Sequence, residues 1–113
     1  MKSKILALSK NEDFKSLLKK RKVSNKFVTI FFGKILDKDT KKLNISFVTK
    51  KKIGNAVKRN KIKRRLRNIT NEAVKKVSIN FNYSFLVIAK PTMLNNDYLN
   101  IKETLFKDFE RIK

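Results

Sequence analysis

The sequence contains no cysteine and no histidine. The first absence excludes disulfides, thiolate metal sites and cysteine nucleophiles. The second removes the commonest general base and the commonest metal ligand. Tryptophan is missing as well, and Gly33, Gly54 and Pro91 are the only glycines and proline. With no linker-like stretch and no internal repeat, the 113 residues read as one domain. Acid is scarce: nine Asp or Glu stand against 30 Lys or Arg, for a formal net charge of +21. Those carboxylates (Glu12, Asp13, Asp37, Asp39, Glu72, Asp97, Glu103, Asp108 and Glu110) are scattered, without the clustering a metal-dependent nuclease needs. No apolar run approaches the roughly 18–20 residues that span a bilayer. The stretch Ile5–Leu8 is too short for the core of a signal peptide. A cytoplasmic protein with no catalytic side chains of its own is expected.

What the chain does have is 41% apolar residues, enough for a modest core. It also has a charge distribution with a focus. Residues 50–67 carry ten Lys or Arg and no acid, whereas residues 27–49 carry four. A compact chain at +21 repels itself unless a polyanion neutralises it. Nucleic acid is the natural candidate and an anionic membrane surface the weaker one.

Local patterns place this basic run. Ser9-Lys10-Asn11-Glu12 has capping-box spacing, and Phe14, Leu17 and Leu18 follow at helical intervals, so a helix of about ten residues is expected. Residues 27–36 are rich in β-branched and aromatic types, as in a strand. The polar stretch Asp37–Lys42 reads as a hairpin loop, leading into an antiparallel strand marked by Leu43, Ile45 and Phe47. From Asn55 to about Val77 nothing breaks the chain, and Ile62, Leu66, Ile69, Ala73 and Val77 recur at helical spacing. Tyr83–Ala89 is a near-continuous apolar run closed by Lys90-Pro91, as expected of a central strand. Tyr98, Ile101, Leu105, Phe109 and Ile112 form a last helical stripe, with Asn95, Asn96 or Asp97 available as cap. The expected fold is α+β in the order α-β-β-α-β-α, with helices packed on one face of a small sheet.

On the long helix, Arg59, Asn60, Lys63, Arg64 and Arg67 fall on one arc beside the apolar stripe. Like charges at such spacing repel, and phosphates facing them would reverse the sign of that interaction. Arginine offers a planar fork for phosphate or guanine, and Asn60 can both donate and accept at a base edge or a 2′-hydroxyl. The break at Gly54-Asn55 lets backbone N–H groups at the helix start approach an anion. A charge run is ordinarily a solvated face, but ten cations without an acid in 18 residues favour a polyanion partner.

The segment Lys51-Lys52-Ile53-Gly54-Asn55-Ala56-Val57-Lys58-Arg59-Asn60-Lys61-Ile62-Lys63-Arg64-Arg65-Leu66-Arg67 resembles, over 17 positions, the signature of the bacterial ribonuclease P protein subunit. Leu8–Phe14 is similar to that family's amino-terminal helix start, and Phe85–Pro91 to its strand ending in Ala-Lys-Pro. The resemblance implies a division of labour. A catalytic RNA removes the 5′ leader of precursor transfer RNA using Mg²⁺, and the protein binds that RNA with its basic helix and holds the leader in a cleft on its sheet. It also implies a parallel strand pair joined by a left-handed crossover, a fold shared with a ribosomal-protein domain. No metal held by the protein alone, no membrane and no further protein partner are implied.

Carried over onto this chain, the RNA-subunit contacts are Lys51, Lys52, Asn55, Lys58, Arg59, Asn60, Lys61, Lys63, Arg64, Arg65 and Arg67. Lys61 stands where most members have Arg, keeping the charge without the fork. The implied leader cleft comprises Phe14, Leu18, Phe27, Val28, Ile30 and Lys50, with Lys50 replacing the family's usual Ser or Thr. On sequence alone, Phe14, Leu17 and Leu18 at helical spacing read first as core residues, as do Phe31, Phe32 and Phe47. Only the resemblance moves Phe14 and Phe27 toward ligand contact. A basic ribosomal or nucleoid-associated module would share the electrostatics, but not the Gly-Asn-Ala-Val-x-Arg-Asn spacing. A membrane-surface helix would need a broader apolar face than this stripe.

Overall fold

The computed structural model describes residues 5–8, 11–35 and 38–112. Its elements are β1 (Ile5–Leu6), α1 (Asn11–Leu18), β2 (Arg21–Ser24), β3 (Val28–Gly33), β4 (Leu43–Val48), α2 (Ala56–Lys76), β5 (Ser84–Ala89) and α3 (Tyr98–Arg111), with short 3-10 turns at Lys51–Ile53 and Pro91–Asn95. The capping serine expected for α1 and the end of the strand expected over 27–36 lie outside the described residues.

Five strands form one mixed sheet in the order β1-β4-β5-β3-β2. The expected hairpin between the strands at 27–36 and 43–47 does not form, because β5 sits between them. It pairs antiparallel with β3 and parallel with β4, from Asn44 opposite Ser84 to Val48 opposite Ile88. The strand with the longest apolar run thus takes the position with two neighbours, where a strand buried on both faces belongs. The parallel pair β4–β5 is joined through α2.

Helices cover both faces of the sheet, not one. Val28, Ile30 and Phe32 of β3, Leu43 and Ile45 of β4, and Phe85, Val87 and Ala89 of β5 pack against Ile62, Leu66, Ile69 and Ala73 of α2 and Ile101, Leu105 and Phe109 of α3. On the other face only α1 is present. There Leu8, Leu17 and Leu86 are buried, with Phe14, Phe31, Val48 and Ile88 half-covered beside them. A short helix cannot roof the whole sheet, so part of this second face stays open.

Helix α2 forms as its uninterrupted stripe requires. Asn55 is its N-cap, its side-chain oxygen accepting from the Lys58 N–H at 3.0 Å. Gly54 precedes it at φ 151°, a conformation that side chains rarely adopt, and a Cβ there would also meet the Lys58 side chain. Asp97 caps α3 in the same way, accepting from the Asn100 N–H at 2.8 Å.

The turn between β2 and β3 is held from three sides. The Asn25 side-chain oxygen accepts from the N–H groups of Phe27 and Val28, and its amide donates to Asp108 of α3. The Lys90 ammonium donates to the Asn25 carbonyl at 2.6 Å and to Ser24 Oγ at 2.8 Å. Lys90, the residue after β5, is therefore a clamp on the neighbouring hairpin.

Candidate nucleic-acid interface

The stripe that seats α2 on the sheet leaves its remaining circumference to solvent, and over residues 58–67 every residue there except Asn60 is cationic. At about 100° per residue, Val57, Asn60, Lys63, Arg64 and Arg67 share one side and line a groove of about 490 Å³. Lys58, Lys61 and Arg65 lie on the opposite flank. Of the arc expected from sequence, four members meet in the groove, and Arg59 does not. Its position on the wheel falls near Leu66 and Thr70, so the side chain is partly covered, with its Nε buried. Asn55 is occupied as the helix cap.

Lys51 is exposed on the 3-10 turn ahead of α2. Lys50 and Lys52 belong to a different depression, on the open face of the sheet. That groove, of about 280 Å³, is lined by Thr29, Phe31 and Ile88 at its floor and by Lys22, Lys50, Lys52 and Lys90 around it. An apolar and aromatic floor ringed by ammonium groups suits a single strand, with bases against the floor and phosphates at the rim.

Several implied cleft residues stand elsewhere. Phe27, Val28 and Ile30 are buried at 4%, 0% and 0% exposure in the core beneath α2 and α3. Because side chains alternate across a strand, the β3 residues on the open face are Thr29 and Phe31. The adjacent pair Phe31 and Phe32 is apolar at both positions, which hid this parity in the sequence. Leu18 is half exposed and lines neither groove. Phe14 is partly buried beside Leu17 and Leu86. It borders a notch of about 230 Å³ at the β4 edge, shared with Ser46, Phe47, Val48, Lys63 and Arg67. Lys63 and Arg67 thus face both this notch and the α2 groove. The floor residues Thr29 and Ile88 and the rim residues Lys22 and Lys90 were missed. Alternation within β3 and β5 was the only signal that could have found the floor.

Among the described residues, no three His, Cys, Asp or Glu side chains come together as a metal site. Asp13 is paired with Lys38, and Asp108 with Asn25 and Arg111. No helix of the described residues is long and apolar enough to cross a membrane.

The profile of the family described as Ribonuclease P matches residues 3–113. Among individual relatives, the ribonuclease P protein component of Mycoplasma mycoides is 29% identical over 106 residues, covering 94% of each chain. That of Carboxydothermus hydrogenoformans is 31% identical over 102 residues, covering 87% of this chain and 83% of its own. The solved Staphylococcus aureus RNase P protein superimposes with a TM-score of 0.76 at 29% identity, over 94% of this chain and 93% of that one. The Thermotoga maritima RNase P protein shares the fold, with a TM-score of 0.79 at 22% identity over 96% and 98% of the two chains. A match that runs nearly end to end, on a fold whose basic helix faces away from its core, shows that this chain belongs to the ribonuclease P protein family.

Proposed function

We propose that this chain, as the protein subunit of the endoribonuclease ribonuclease P, grips the catalytic RNA with α2 and holds the 5′ leader of precursor transfer RNA on the open face of its sheet. The observation that carries this reading is the sharing of Lys63 and Arg67 between the α2 groove and the Phe14 notch. One RNA surface and one single strand can thereby be held side by side. Arg64 and Arg67 offer forks to phosphates, and Asn60 between them reads a base edge or a 2′-hydroxyl. On the open face, Phe14 and Phe31 offer rings to unpaired bases.

The protein contributes binding and charge neutralisation. Cleavage and the Mg²⁺ it uses belong to the RNA, and the scattered carboxylates of this chain suit that division. The assembly works in the cytoplasm, where precursor transfer RNA is made. A ribosomal or nucleoid-associated role is not favoured, since neither accounts for the family match.

The test is processing of precursor transfer RNA by a bacterial ribonuclease P RNA at low Mg²⁺, with and without this protein. Addition of the protein should restore cleavage at the mature 5′ end. The protein freed of RNA should cleave nothing at any Mg²⁺ concentration, and site-specific cutting by it would overturn the reading.

A further inference from the structure

The basic helix is not the only acid-free stretch. Residues 14–35 carry seven Lys or Arg and no Asp or Glu, and they run from α1 into the β2–β3 hairpin at one edge of the sheet, with β2 outermost. Lys19, Lys20, Arg21, Lys22 and Lys26 are all exposed, and among the described residues none pairs with a carboxylate. Three of them are seated on rings of β3 and the turn before it. The Arg21 guanidinium lies 5.0 Å from the Phe32 centroid, and the ammonium groups of Lys22 and Lys26 lie 6.0 Å and 5.8 Å from Phe31 and Phe27. Such seating holds the charges in place at little cost in side-chain freedom. In the register, Arg21 opposes Phe32 and Lys22 opposes Phe31, so alternate cations rise on the two sides of the edge.

We propose that this edge is a track for the upstream part of the leader, beyond the nucleotides held in the open-face groove. Lys22 belongs to both the groove and the edge strand, so a single strand leaving the groove on that side passes directly onto β2. The α2 surface lies at the other side of the sheet, over β4, and so cannot serve the same stretch of RNA. Lysines on an edge strand also guard against strand-to-strand association, and that is the reading the experiment must separate. The proposal rests on leader binding as proposed above.

The test uses the reconstituted holoenzyme and precursor transfer RNAs whose leaders run from two to about fifteen nucleotides. The triple variant K19Q/R21Q/K26Q keeps most of each side-chain stem and leaves the groove lysines in place. Affinity for the long-leader substrate should fall by about an order of magnitude, while the shortest leader and mature transfer RNA are bound as before. The log–log salt slope for the long leader should drop by about 2, at about 0.7 per phosphate neutralised on a single strand. Affinity for the RNA subunit and the thermal melt should hold.

Equal losses at every leader length, together with weaker RNA-subunit binding, would assign the edge to the catalytic RNA and overturn the proposal. Unchanged binding accompanied by self-association of the variant would make the lysines edge guards and overturn it too. If the unaltered protein itself shows no dependence on leader length, the leader reading fails first, and that result is distinguishable from failure of the edge alone.

Discussion

Arg59 and Arg64 are five positions apart on one helix and face different surroundings. Arg64 is exposed in the α2 groove. Arg64→Ala should weaken binding of the RNA subunit by roughly 1–3 kcal/mol, as loss of a bidentate contact does, and leave the melting temperature of the protein in place. Arg59 lays its stem along the packed side of α2. Arg59→Ala should therefore lower stability as well as affinity, because a long cationic side chain covers apolar surface with its methylenes. Parallel melts and binding titrations separate the two. The same scale settles Phe27 and Phe31. Phe27→Ala removes a buried ring and should cost about 3–5 kcal/mol of folding stability, with losses indifferent to the leader. Phe31→Ala opens the groove floor and should cost roughly 1–3 kcal/mol of affinity for each base that stacked there. That loss should be confined to substrates with a leader, and equal losses on mature transfer RNA would return Phe31 to a purely structural part.

At the scale of elements, α2 and α3 were legible from the sequence nearly to the residue. Their stripes run unbroken at helical spacing, and Asn55 and Asp97 are strong caps. Strand β5 was legible as central because its apolar run is continuous. Strand β2 was not: Arg-Lys-Val-Ser has one apolar residue, and the strand exists because β3 offers it a partner. Nor was the pairing legible. Adjacent strands joined by a short polar stretch suggest a hairpin, yet β5, buried along nearly its whole length, takes the place between β3 and β4. The α2 groove was largely legible because it depends on helix geometry alone, whereas the open-face groove depends on which side of β3 faces inward. One contact between elements also predicts a pH response. Burial, with the Glu72 charge adding and Lys102 opposing, raises the Tyr98 phenol above its ordinary pKa of 10.0. The folded chain favours the neutral phenol, so this contribution is intact below pH 10 and declines as pH rises beyond it. Tyr98→Phe should flatten the alkaline end of a stability profile measured by denaturant titration.

The whole molecule carries +21 charges on a fold of 13.2 Å radius of gyration. Self-repulsion at that density destabilises the compact state, and any polyvalent anion that binds the folded form adds stability by mass action. Sulfate or phosphate should raise the melting temperature more than chloride at equal ionic strength, as a calorimetric titration would show. An equal response to all three would leave only general screening. With no histidine or cysteine, no side chain has an ordinary pKa between 5 and 8.

The position of β5 has a further consequence, in the timing of synthesis. Until Ser84–Ala89 has emerged from the ribosome, β2–β3 and β1–β4 can exist only as two separate pairs, since every contact that joins them into one sheet passes through β5. At about 5–20 residues per second, both acid-free basic stretches are exposed for seconds before the fold can close over its core. Ribosome-stalled chains ending at residue 80 should lack a protease-resistant domain, and chains long enough to free α3 from the exit tunnel should acquire one in a single step.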